Sequence, residues 1–161
     1  MLKEYLNNLY DFTCWGRDRM LDTAQALTPE QFDQETRFPI HTVKETLVHT
    51  LSAEIAYRKR CIGEPTSLVE KSAFPDLGSI RMVWREEENL MRLYLATLDD
   101  KALGETVKYK TSRGDEFERA RLDLVTQLFF HSMQHRAEIA QMLTEFGHSP
   151  GNIDYTVYKY G

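Results

Sequence analysis

The sequence predicts an all-α fold: a four-helix bundle with a long crossover loop and a small β-hairpin-like insert before the last helix. Three observations predict it. Four stretches carry apolar residues at steps of three, four and seven, the spacing of one buried helical stripe. Each stretch is bounded by capping or helix-breaking residues. Only one short segment alternates as a strand does. At 161 residues the chain suits a single domain with a proper hydrophobic core, read as one unit over residues 1–161.

The first helix is expected over residues 2–27, on the stripe Leu2, Leu6, Leu9, Phe12, Thr13, Gly16, Met20 and Leu27. Thr28 then caps a short helix, with Pro29 at its first position and Gln31 closing a capping box. The run Phe38-Pro39-Ile40-His41 is an extended connector, because a residue before proline is pushed out of the helical region. A second long helix starts at Thr42, where Glu45 offers another capping box, and stops at Gly63 with Pro65 beyond.

Residues 64–78 hold Pro65 and Pro75 and read as a long loop that crosses the bundle rather than turning tightly. Ser79 is expected to cap the third long helix, which ends near Asp99-Asp100. Residues 105–110 alternate, residues 112–115 are turn-like and residues 116–118 can return as a hairpin. The fourth long helix spans residues 121–146, with Gly147 as its stop. The tail SPGNIDYTVYKYG reads as irregular.

Composition narrows the function classes. The formal net charge is -5 and no basic cluster stands out, which argues against a nucleic-acid or anionic-membrane partner. Cys14 and Cys61 are too few for a disulfide framework and fall in no metal-binding spacing. Neither a signal-peptide core nor a membrane-length apolar window is present, so a cytoplasmic setting is expected.

The chemistry concentrates in three histidines. In the fourth helix Leu124, Leu128, His131, His135, Met142 and Phe146 follow helical steps, placing His131 and His135 one turn apart on an apolar seam. Such a pair can converge on one metal ion, and it can equally be a pair of core histidines bonded to carbonyls or water. His49 lies mid-way along the second long helix among Thr46, Ser52, Ala53 and Ala56, small residues that admit a close neighbour. Leu47, Val48, Leu51, Ile55 and Ile62 take the adjoining face, so His49 points toward a helix–helix contact, most naturally with the fourth helix. Three neutral imidazoles there would suit zinc or nickel and leave a coordination position for water or substrate.

The stretches ETLVHTLSAEIAYRKRCIGE and HSMQHRAEIAQMLTEFGHSPGNIDY, with Trp15 in the first helix, resemble the DinB family of DinB/YfiT-like metalloenzymes. The likeness runs through nearly the whole chain in order. It implies a four-helix bundle in which His49, His131 and His135 hold a divalent metal. Trp15-Gly16 departs from the small polar pair that many relatives carry after the tryptophan. Relatives differ in chemistry: some transfer low-molecular-weight thiols such as bacillithiol, and others are mycothiol-dependent isomerases.

The remaining candidates each carry two readings. Glu87, on the stripe of the third helix, either serves the metal as an orienting or acid/base group or snorkels to the bundle edge. Glu138, just past His135, either orients that ring or pairs on the outer surface with Gln134, Arg136 or Gln141. Arg136 is expected at the surface, His41 and His148 in loops at helix ends, and Cys14 and Cys61 as small buried groups. Trp15 and Trp84 read as core. Asp154 and Tyr155 close over the site or anchor the tail, and Tyr158 and Tyr160 cover a pocket or a dimer face.

The expected function is metal-dependent transfer of a low-molecular-weight thiol to a small-molecule electrophile, a reaction the resemblance alone suggests. The alternatives are a metal-dependent hydrolase and a non-catalytic, stress-related metal-binding protein; a homodimer is expected. A structural site would be closed by a fourth side chain such as Glu87, whereas a catalytic one would stay open.

Overall fold

The structure, a computed structural model, describes residues 1–161. Four long helices carry the fold: α1 (Leu2–Ala24), α3 (Val43–Cys61), α4 (Leu77–Thr97) and α6 (Arg121–Glu145). Shorter elements fill the links: α2 (Pro29–Phe32), α5 (Asp100–Gly104), the strands β1 (Thr106–Lys110) and β2 (Glu116–Ala120), and α7 (Tyr155–Tyr160). The two strands pair antiparallel with Thr106 opposite Ala120 and Lys110 opposite Glu116, so the expected hairpin forms.

Side-chain partners fix the helix directions. Asp11 pairs with Arg92 and Asp22 with Arg81, so α1 and α4 run antiparallel. Trp84 meets Glu54 and Glu87 meets Arg58, so α3 and α4 run parallel. The loop between them must therefore return along the bundle, as its length suggested. Ser132 meets Glu54 and Arg121 meets the Cys61 carbonyl, making α3 and α6 antiparallel neighbours. Val69 N–H on Ser52 Oγ at 2.9 Å and Lys71 on Glu45 at 2.6 Å tie the returning loop to α3.

Several local expectations hold and several are corrected. The Thr28 capping box forms in both directions with Gln31. At Thr42 only half a box forms: its hydroxyl accepts the Glu45 N–H, while the Glu45 carboxylate turns to Lys71. The cap of α4 is Asp76, not Ser79; Ser79 is the third helical residue and closes a reciprocal box with Asp76. Helix α1 ends at Ala24, and Gln25, Ala26 and Leu27 continue only as tightened i→i+3 turns. Helix α6 stops before Gly147, whose φ of +87° suits a residue without a Cβ. The tail is not wholly irregular, since residues 155–160 form α7.

Apolar burial falls into two clusters. One gathers Met20, Leu21, Leu47, Leu51, Ile80, Trp84, Ile139 and Met142; the other gathers Leu6, Tyr10, Cys14, Met91, Leu95, Leu124 and Leu128. Along each long helix the buried charged residues, with Ser132 and His135, fall where one cluster gives way to the other: Arg17, Glu54, Arg58, Glu87 and Arg136. Within this layer every carboxylate is satisfied. Glu54 accepts from Trp84 Nε1 at 2.8 Å and Ser132 Oγ at 3.0 Å, and burial pushes its carboxyl above the ordinary range. The layer locks helix register, because an apolar side chain slipped into it would leave a buried charge unpaired.

Candidate metal centre

The antiparallel packing of α3 on α6 places His49 beside His131 and His135. His131 Nε2 lies 3.2 Å from Nε2 of His49 and 3.2 Å from Nε2 of His135. The three potential ligand atoms all lie within 4.8 Å of one another. Two nitrogens bound tetrahedrally at about 2.0–2.1 Å from zinc would sit about 3.3 Å apart, so the two 3.2 Å separations match one ion, while His49 and His135, within 4.8 Å, would draw closer on binding it. Burial is graded across the cluster: His135 is buried, His131 half-buried and His49 exposed. The cluster therefore opens to solvent on the His49 side.

Protonation supports the same use. Glu138 Oε2 lies 2.7 Å from His135 Nδ1, so Nδ1–H donates to the carboxylate and the Nε2 lone pair faces the cluster. Burial, then the neighbouring His135 and His49, holds the His131 imidazole down to about 4. Burial and then His135 also lower that of His49. Both rings are thus neutral at pH 7, as metal ligation requires. His131 Nδ1 has no partner; its ring is held by packing against the other two histidines and by Tyr57, whose centroid is 6.3 Å away.

The other candidates fall into place around this cluster. Both readings of Glu138 find a contact: Oε2 meets His135 at 2.7 Å and Oε1 accepts from Gln134 Nε2 at 3.5 Å, the shorter being the orienting one. Glu87 neither faces the histidines nor reaches the bundle edge. It is buried, and Arg58 takes both its oxygens, Nε on Oε1 at 2.6 Å and Nη2 on Oε2 at 2.8 Å. It is therefore not free to close the cluster as a fourth ligand.

Arg136, expected at the surface, is buried and donates from Nη1 to the Phe12 and Thr13 carbonyls at 3.0 and 3.2 Å. Gly16 makes this possible: a Cβ there would overlap Nη1 and approach Cζ to 3.0 Å. The departure noted at Trp15-Gly16 thus has a packing cause.

Tyr155 accepts from Asn8 and meets Phe12 edge-on, and Tyr158 packs at a tilt against Trp15, so the tail is anchored on α1. Asp154 stands at the start of α7 with no side-chain cap bond. His41 and His148 join no ligand group. Burial raises the Cys14 thiol to about 12 and the Cys61 thiol to about 11, which leaves both unreactive at neutral pH. Sequence reasoning missed Tyr57 and Arg60, although His49, Ala53, Tyr57 and Arg60 follow steps of four, four and three along one face of α3.

No functionally curated protein matches the sequence significantly. Several solved structures share the fold, among them these two. YfiT from Bacillus subtilis, described as a probable metal-dependent hydrolase with an unusual four-helix bundle topology, superposes with a TM-score of 0.65 at 15% identity, over 91% of this chain and 90% of that one. A DinB-like protein from Bacillus cereus gives 0.66 at 15% identity, over 89% of this chain and 94% of that one. The model of the DinB family matches residues 1–161. With the family model matched over the whole of residues 1–161, the chain belongs to the DinB family.

Proposed function

We propose that this protein is a divalent-metal enzyme that transfers a small thiol to an electrophile, with zinc or nickel held by His49, His131 and His135. The observation that carries the reading is the convergence of three histidine ring nitrogens at a solvent-facing opening, with Glu87 bound to Arg58 instead of capping it. A dication bound there supplies Lewis acidity, bringing the pKa of a coordinated thiol or water toward neutrality. Glu138 keeps the His135 ring in the ligating tautomer, and the exposed His49 side admits substrate. The thiol gives its proton to solvent; sulfur then bonds to the electrophilic carbon, and the leaving group departs with its electron pair.

Thiol chemistry is preferred to hydrolysis because the carboxylate beside the cluster, Glu138, is already engaged by His135. A thiol needs no neighbouring base once coordinated, whereas attack by water gains from one. Metal-dependent hydrolysis stands as the second reading, favoured by the description of YfiT.

Metal content by mass spectrometry tests the centre, using tag-free protein beside a His131→Ala, His135→Ala double variant. About one zinc or nickel per chain, lost in the variant, supports the site; no metal in either, with folding intact, removes it. Turnover of electrophiles only when a thiol is supplied separates transfer from hydrolysis.

A further inference from the structure

Arginines of this bundle are generally spoken for. Arg17, Arg58, Arg92 and Arg121 each pair with a carboxylate, and Arg19 and Arg136 donate to carbonyls. Arg60 differs. Its guanidinium lies 4.8 Å from the Tyr57 ring centroid and 5.4 Å from that of Tyr109, flanked by two aromatic rings. Its Nε is buried without a hydrogen-bond partner, and no carboxylate pairs with it. The rings fix the planar fork but take none of its directed N–H bonds, so its capacity for a bidentate acceptor is unused.

Its placement relates it to the histidines. Arg60 follows His49, Ala53 and Tyr57 along one face of α3, and a helical side chain leans toward the N-terminus of its helix. Arg60 accordingly reaches back to Tyr57, and Tyr57 in turn stands beside His131. One aromatic ring separates the guanidinium from the cluster. Ala53, between His49 and Tyr57 on that face, carries the smallest side chain of the four.

We propose that Arg60 is a substrate-binding residue: it holds a carboxylate on the molecule whose thiol sits at the three-histidine centre. The substrate class is thus an anionic thiol, a mercapto acid whose sulfur and carboxylate are separated by about the width of the Tyr57 ring. This rests on the metal reading above and adds to it a second point of attachment. The step is one of binding only, with no bond made or broken at Arg60.

Cobalt(II)-loaded protein provides the test, since a coordinated thiol would give a near-ultraviolet sulfur-to-cobalt charge-transfer band. Unbranched ω-mercapto acids of increasing length are titrated beside the mercapto alcohols of equal length. One length is expected to bind about tenfold more tightly as the acid than as the alcohol, the effect of one charge-assisted contact. Arg60→Gln should bring that ratio to about one while leaving cobalt content and alcohol affinity unchanged, and Arg60→Lys should retain part of it.

Equal binding of acid and alcohol at every length in the unaltered protein would overturn the proposal and leave Arg60 a structural clamp. So would a ratio that survives in Arg60→Gln. A protein that takes up no cobalt fails before any thiol is added, which removes the metal reading and this inference together.

Discussion

Replacing Gly16 by alanine inverts an ordinary rule. In a helix interior that change contributes about 1 kcal/mol of stability, because alanine loses less backbone entropy. Here the added methyl would overlap Arg136 Nη1 and stand 3.0 Å from Cζ and 3.1 Å from Cδ. Contact along the side chain, not only at its tip, means that Arg136 must leave its place. It is 4% exposed, so it has no easy route to water. Moving it sacrifices at least one of its bonds to the Phe12 and Thr13 carbonyls, each worth about 1.5–3 kcal/mol from a charged donor. The net cost is about 0.5–2 kcal/mol, which lowers the melting temperature of a chain this size by about 1–8 °C. Thermal unfolding followed by circular dichroism measures it directly. In an Arg136→Met background the same Gly16→Ala change should regain a stabilising sign. An unchanged or raised melting temperature in the unaltered background would refute the proposed coupling of Gly16 to Arg136.

Three further outcomes are expected. Glu138→Gln should weaken metal binding about 10–100-fold with the fold intact, since the carboxylate only orients and polarises His135; metal-competition titration would read it. Arg58→Met should cost about 3–5 kcal/mol by stranding the buried Glu87, and Glu87→Leu added to it should recover most of that in denaturant unfolding. The third concerns pH. The His131 imidazole titrates near 4 in the folded chain and near its ordinary value when unfolded, so the unfolded state binds the proton more readily between these values. Its contribution to metal-free stability is complete above about 6.5 and is lost as pH falls toward 4. Denaturation of the metal-free protein at pH 7 and pH 5 should show a smaller loss for His131→Leu than for the unaltered chain; parallel losses would contradict the assignment.

What was legible in the sequence was what repeats locally. The stripes of four helices, the reciprocal Thr28–Gln31 box and the alternation of the hairpin are each decided within a few residues, and each appears in the structure. The convergence of His49 with His131 was legible because small residues around His49 marked a close approach. The polar layer was not. Glu54, Glu87 and Arg136 count as polar in any periodicity, which makes them look like breaks in a stripe or surface groups. Their partners lie far along the chain: Ser132 is 78 residues from Glu54, and Phe12 is 124 from Arg136. Asp76 was overlooked as a cap because Ser79 has the same chemistry and lies three residues on, at the other end of the same reciprocal box.

The separation of the histidines along the chain also bears on biosynthesis. His49 and His131 are 82 residues apart, and α6, which supplies two of the three rings, is the last of the long helices to be made. A nascent chain that has reached only α3 or α4 offers one of the cluster's three imidazoles, too weak a ligand by itself to retain a transition metal against cellular chelators. On the metal reading proposed above, a centre would not load before α6 is made. Bound metal would then mark the docking of α6 on α3, and the metal-to-chain ratio of a preparation would count the molecules in which that docking is complete.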